Sequence, residues 1–168
     1  MNTTKRIAFL LFAFMLCTSI WSQKVFTVVY ATSDDGFVNV RERPTTKARE
    51  IGKLWMLNHG LGDGVLRDRN SKWWKVSVGK VTGWANSKYL GTLNWYDGTG
   101  DAKLIAAHDK TPIYRENYED NSKPQWFTTV EKGTIIADRF QEEGAYYLLS
   151  TAHDNLYIKK TDVKVVRK

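Results

Sequence analysis

Among the side chains able to do chemistry, the tryptophan pair in Lys72-Trp73-Trp74-Lys75-Val76-Ser77-Val78 stands out. Under strand alternation Lys72, Trp74, Val76 and Val78 share one face, and Ser71, Trp73, Lys75 and Ser77 share the other. The more apolar set reads as the core face. Trp73 is then a large aromatic on a polar face, suited to stacking on a sugar ring or gripping a peptide, while Trp74 and Trp84 are assigned to the core. Catalytic patterns are lacking: there is no G-x-S-x-G elbow, no HExxH helix and no glycine-rich phosphate loop. The His-Asp dipeptides at His108-Asp109 and His153-Asp154 invite an acid/base or metal reading, but His153 falls where a hairpin tip is expected. The acid pairs Asp34-Asp35, Glu119-Asp120 and Glu142-Glu143 lie in polar stretches that read as solvated turns. Asp97-Gly98-Thr99-Gly100-Asp101 lacks the later bidentate acid of a calcium loop. No catalytic residue, metal site or cofactor is expected.

The 168-residue chain begins with Lys5 and Arg6 followed by an uncharged stretch, Ile7 to Ile20, and a short polar segment. This pattern reads as a cleaved signal peptide over residues 1–22, too short for a membrane span of roughly 20 residues. The single cysteine, Cys17, lies inside it, so the mature chain enters an oxidising compartment without thiols or disulfides. Loss of Lys5 and Arg6 lowers the formal charge from +7 to +5. Residues 23–97 carry 12 Lys/Arg against 7 Asp/Glu, whereas residues 98–168 carry 11 of each. Export argues against a nucleic-acid partner. A solvated surface accounts for an excess this modest, and any ligand it has is better sought among anionic envelope polymers or lipid headgroups.

The elements that must position these side chains are short strands. Val25–Tyr30, Phe37–Arg41, Gly64–Leu66, Trp73–Val78 and Val81–Trp84 are rich in Val, Tyr and Trp and are bounded by turn residues. Asn94 to Asp101 is a turn-rich break. The halves on either side share a plan. Arg41-Glu42 precedes Trp73 as Arg115-Glu116 precedes Tyr146. Trp84 follows Trp73 at the spacing by which Tyr157 follows Tyr146, and Gly64 and Gly133 take similar places between these landmarks.

Phe37-Val38-Asn39-Val40-Arg41-Glu42-Arg43-Pro44, Ile51-Gly52-Lys53-Leu54 and the run from Trp73-Trp74-Lys75-Val76 through Gly83-Trp84-Ala85 to Tyr89-Leu90 together resemble a bacterial SH3 domain. The resemblance covers roughly residues 25–92. The second half keeps the skeleton, with Asp162 where the first has Tyr89. The fold implied is all-β, two tandem small SH3-like β-barrels after the signal peptide: a first domain at 23–93, a linker at 94–101 and a divergent copy at 102–168. The site implied is an aromatic pair, Trp73 and Tyr89, lining a groove, with Lys75, Lys88 and Arg41 as neighbouring donors for carboxylates. Asn86 stands where the proline of the eukaryotic SH3 groove would fall, and the surrounding loops read as basic, which disfavours a proline-rich ligand. The function implied is non-enzymatic recognition of a cell-envelope component, peptidoglycan peptide or glycan, in the periplasm or at the cell surface. The alternative is binding to another envelope protein, as an accessory subunit or inhibitor of a hydrolase. Without disulfides, two barrels this small are expected to pack together, with Trp95 and Tyr96 at the contact.

Overall fold

The computed structural model describes residues 23–57, 64–70, 72–117, 123–150 and 155–168. The expected signal peptide with Cys17 lies outside the described residues, as do Glu119-Asp120 and His153-Asp154. The described chain is all-β. Its first part comprises β1 (Thr27–Ala31), β2 (Phe37–Arg41), β3 (Glu50–Trp55), β4 (Gly64–Arg69), β5 (Trp73–Val78), β6 (Val81–Asn86), a 3-10 turn at Ser87–Tyr89 and β7 (Leu90–Asn94). The second comprises β8 (Ala102–Ala106), β9 (Thr111–Arg115), β10 (Gln125–Val130), β11 (Ile135–Ala137), β12 (Gln141–Glu143), β13 (Tyr146–Ser150), β14 (Asn155–Lys159), a 3-10 turn at Lys160–Asp162 and β15 (Val163–Arg167). Among the described residues no helix is long and apolar enough to cross a membrane.

Strand alternation explains the local structure. In β2, Val38 and Val40 are buried while Phe37, Asn39 and Arg41 face away. β5 and β6 are joined by the two-residue turn Gly79-Lys80, where Gly79 has φ +55, a left-handed value that glycine adopts without a Cβ penalty. The seven strands of the first part form one sheet in the order β3-β2-β6-β5-β4-β1-β7. A parallel bridge between Ala31 and Met56 draws the end of β3 back to β1 and curls the sheet.

The second part repeats this order. Strands β10-β9-β14-β13-β12 form one sheet and β11-β8-β15 another, matching β3-β2-β6-β5-β4 and β4-β1-β7 in turn. The first part's continuous β4 corresponds to two short strands here, broken at Asp138 to Phe140. The pairings also correct the landmarks of the sequence repeat. Arg41 pairs with Trp84, whereas Tyr114, not Arg115, pairs with Tyr157. Gly64 pairs with Val29 and Ala137 with Leu104, so Ala137, not Gly133, is the counterpart of Gly64. Arg-Glu and Gly are common residues at turns and strand ends, and a one-residue slip in such matches is invisible until hydrogen bonds fix the register.

The two parts share a core. Phe26, Val28, Val65 and Trp95 pack in one cluster with Leu104, Ile113, Ile136, Leu149 and Ile158, and the Phe26 and Trp95 rings stack at 5.6 Å. A second cluster, built around Val29, Val40, Leu54, Val76 and Ala85, belongs to the first part alone. Backbone pairing crosses the junction where Phe26 N donates to Ile135 O and Ile135 N to Lys24 O, both at 2.8 Å. Arg67 on β4 adds a polar clamp: its guanidinium donates to Ser77 Oγ at 2.8 Å, Thr129 O at 3.0 Å and Thr128 Oγ1 at 3.0 Å. The residue keeps a solvent-facing side, yet desolvation of the engaged guanidinium lowers its pKa from the ordinary arginine value, with nearby Glu131 pulling the other way.

Trp74 is half-buried against the first part's own core, with the Arg69 guanidinium 5.0 Å from its ring. Trp84 departs from its assignment to the core. Gly83 and Ala85 are buried, so alternation along β6 turns Trp84 to the other face, where it is half-buried opposite Arg41 and Lys75.

Candidate functional site

The odd-numbered residues of β2, the start of β5 and the 3-10 turn after β6 converge on a groove of about 600 Å³, over which the β1–β2 loop folds. Of the five residues selected from sequence, Trp73, Tyr89 and Arg41 line it. The other two lie elsewhere. Lys75 is exposed farther along β5, paired with Trp84 and Asp68; Lys88 is exposed outside the lining, its Nζ 5.3 Å from the Tyr89 ring centroid.

Trp73 is buried, only 8% exposed, so the expectation of an open tryptophan on the polar face is corrected. Both ends of that face are covered. Ser77 sits under Arg67 and exchanges a 2.8 Å hydrogen bond with Thr82, and Trp73 sits in the groove wall. Only Lys75 between them remains open. Tyr89, 40% exposed, is the accessible aromatic of the pair. Asn86 caps the turn by accepting from Lys88 N at 3.1 Å, which presents Tyr89 at the groove edge.

Arg41 does not act as a free donor. Its guanidinium donates to Glu50 Oε1 at 2.9 Å and to Ala48 O at 2.7 Å. Asn39 Nδ2 donates to the same Glu50 oxygen at 2.7 Å, while Asn39 Oδ1 is enclosed without a hydrogen-bond partner. The charges left on the groove lining are Asp34 and Asp35, both exposed in the β1–β2 loop. The loop over the groove is therefore acidic, contrary to the basic surroundings expected.

Phe37 was not selected from sequence. It lines the groove and continues outward to exposed Trp55 at 5.4 Å, with Lys53 Nζ 3.9 Å from the Phe37 ring centroid; Met56 is exposed beside them. The signal for Phe37 and Asn39 was available in β2, where the buried valines assign the intervening residues to the groove side. The signal for Asp34 and Asp35 was not, because loop placement has no period.

Among the described residues no group of three or more His, Cys, Asp or Glu is placed to hold a metal. The Asp97 loop is held by local and junction contacts instead. Asp97 Oδ1 accepts from Thr99 N at 2.9 Å and Thr99 Oγ1 at 2.6 Å, and buried Asp138 accepts from Gly100 N at 3.0 Å. These Thr99 bonds, aided by Arg139 at 3.1 Å, hold the Asp97 carboxyl below its ordinary pKa. No protein-family model and no curated protein matches the chain.

Proposed function

We propose that this chain is an exported, non-enzymatic binding protein of two tandem SH3-like barrels, a first domain at 23–93 and a divergent copy at 102–168 joined by the linker at 94–101. The ligand of the first barrel is a cell-envelope component, peptidoglycan peptide or glycan, held in the groove beside Tyr89. The observation that carries this reading is the convergence of Trp73, Tyr89 and Arg41, from three separate elements, on one groove. The repeated strand order supports the tandem reading. Trp73 serves as the groove's wall, Tyr89 as its accessible aromatic, and Arg41, locked on Glu50, as a strut that holds β2 and β3 in place.

The test is sedimentation of the protein with purified, insoluble peptidoglycan. Depletion from the supernatant, reduced by Tyr89→Ala in a protein of unchanged melting temperature, is expected. Equal depletion with and without the Tyr89 ring, or none at all, refutes the groove as the site. Trp73→Ala is a poor first choice because it removes buried volume. A second reading, binding to an envelope protein such as a hydrolase, is favoured by the exposed Trp55 and Met56 next to the groove, since contiguous apolar surface of this kind marks protein contacts. Trp55→Ala separates the two: it weakens a protein partner and leaves peptidoglycan sedimentation unchanged.

A further inference from the structure

The second unit, where Asp162 replaces the groove tyrosine, carries aromatic side chains on a different surface. Pairing places Trp126 of β10 opposite Tyr114 of β9, Tyr114 opposite Tyr157 of β14, and Tyr157 opposite Leu148 of β13. Residues directly opposite in an antiparallel sheet share a face. This face is the outer one, because the alternating residues Ile113, Leu149, Leu156 and Ile158 are fully buried beneath it. Trp126 is 49% exposed. Tyr146, two residues before Leu148 and on the same face, meets the Tyr114 and Tyr157 rings edge-on at 6.1 Å and 6.3 Å.

The corresponding row of the first unit reads Glu50, Arg41, Trp84 and Lys75. One aromatic among three charged residues is what the solvent side of an antiparallel sheet ordinarily tolerates. Three aromatics and a leucine in the same row are a departure from that pattern, with Trp126 exposed and Tyr114, Tyr157 and Leu148 half-buried. Strands lie about 4.8 Å apart, so the row extends roughly 14 Å. Beside Tyr157 lies a cavity of about 220 Å³, lined by Tyr146 and Tyr157 and furnished with Glu116, Asn117, Lys123 and Glu143.

We infer that this face is a second binding site, for an uncharged saccharide chain, independent of the groove reading. The charges decide the class of ligand. The carboxylates Glu116 and Glu143 are balanced by Lys123 and by Lys159, whose Nζ lies 5.7 Å from the Tyr114 ring centroid. Residues 98–168 as a whole are neutral. A nucleic-acid strand needs a positive track for its phosphates beside the stacking rings, and an ionic ligand needs a surplus of the opposite sign. Rings that pack on the C–H face of a sugar, bordered by donors and acceptors of both kinds for its hydroxyls, match an uncharged polyol. Edge-on contact with Tyr146 restrains the Tyr114 and Tyr157 rings before binding, which limits the ordering cost.

The test is titration of the full chain with soluble chitohexaose and cellohexaose, followed by tryptophan fluorescence and by calorimetry. Saturable binding to at least one is expected, about tenfold weaker in Trp126→Ala and in Tyr157→Ala and retained in Tyr157→Trp. Trp126→Glu, which installs the residue type found at the equivalent point of the first unit, gives the same loss if the alanine variant fails to fold. Absence of binding to both sugars overturns the inference. So does binding lost with Tyr89→Ala and indifferent to Trp126→Ala, which moves the site to the groove. Concentration-dependent dimerisation abolished by Trp126→Ala, seen by light scattering, also overturns it, because the face is then covered by a second copy.

Discussion

Replacing Arg67 by methionine keeps much of the aliphatic stem and deletes a guanidinium that joins β4 to the second unit. Three donated hydrogen bonds are lost, to Ser77, Thr129 and Thr128. Ser77 keeps Thr82 as a partner, so little is stranded there. The Thr128 hydroxyl belongs to a buried residue and loses its donor, as does the Thr129 carbonyl. At about 1 kcal/mol net for each bond, the loss is about 3 kcal/mol. Relief of the desolvation that lowers the Arg67 pKa returns part of it, a part kept small by solvent on the residue's open side. A net loss of about 2 kcal/mol lowers the melting temperature of a domain this size by about 6 °C, measured by calorimetry. The bond to Thr128 is isolated by a double-mutant cycle with Thr128→Val, where a coupling of about 1 kcal/mol is expected. Strict additivity, or a melting temperature within about 1 °C of the parent, refutes the clamp and with it the polar half of the junction.

Three further outcomes follow from the same contacts. Residues 23–93 expressed alone expose Phe26, Val28 and Val65, which pack in the joint core, so their melting temperature by circular dichroism falls well below that of the whole protein; equality counts against a shared core. Trp73→Ala costs about 3 kcal/mol or more because the ring is buried, while Tyr89→Ala stays within about 0.5 kcal/mol in denaturant unfolding; a reversed order shows that the groove wall has been misassigned. Hydrogen bonds and ion pairs lower the carboxyl pKa of Glu131 through Lys24, of Glu142 through Lys160 and of Asp97 through Thr99. The unfolded chain therefore takes up protons first on acidification. The stabilisation is present above the ordinary carboxylate value of about 4 and is lost as pH falls through the lower folded values. Thermal melts across that range are expected to show the loss, and Glu131→Gln to flatten it; unchanged acid sensitivity in that variant removes Glu131 from the account.

Runs of Val, Tyr and Trp bounded by turn residues locate β2 and β5 to the residue and the start of β6, because strand preference and turn chemistry are local properties of the chain. They miss β3 and β7, which pack weakly patterned segments such as Leu90-Gly91-Thr92 against strong neighbours. Trp73 and Trp84 take the register positions in β5 and β6 that Tyr146 and Tyr157 take in β13 and β14. Trp84, large and apolar, suggests core by its type, yet alternation with the buried pair Gly83 and Ala85 turns it to the other face of β6.

Composition and alternation are local properties, and they suffice for an all-β chain of short strands, a basic first half, a neutral second half and aromatic residues at matched spacings. Tertiary structure alone decided that Trp73 is buried while Tyr89 is open, that Arg41 is committed to Glu50, that Asp34 and Asp35 overhang the groove, and that four aromatic side chains of the second half share one outer face. Each of these depends on which strands pair and in what register. Register is fixed by hydrogen bonds and burial contributed by residues far apart in the chain.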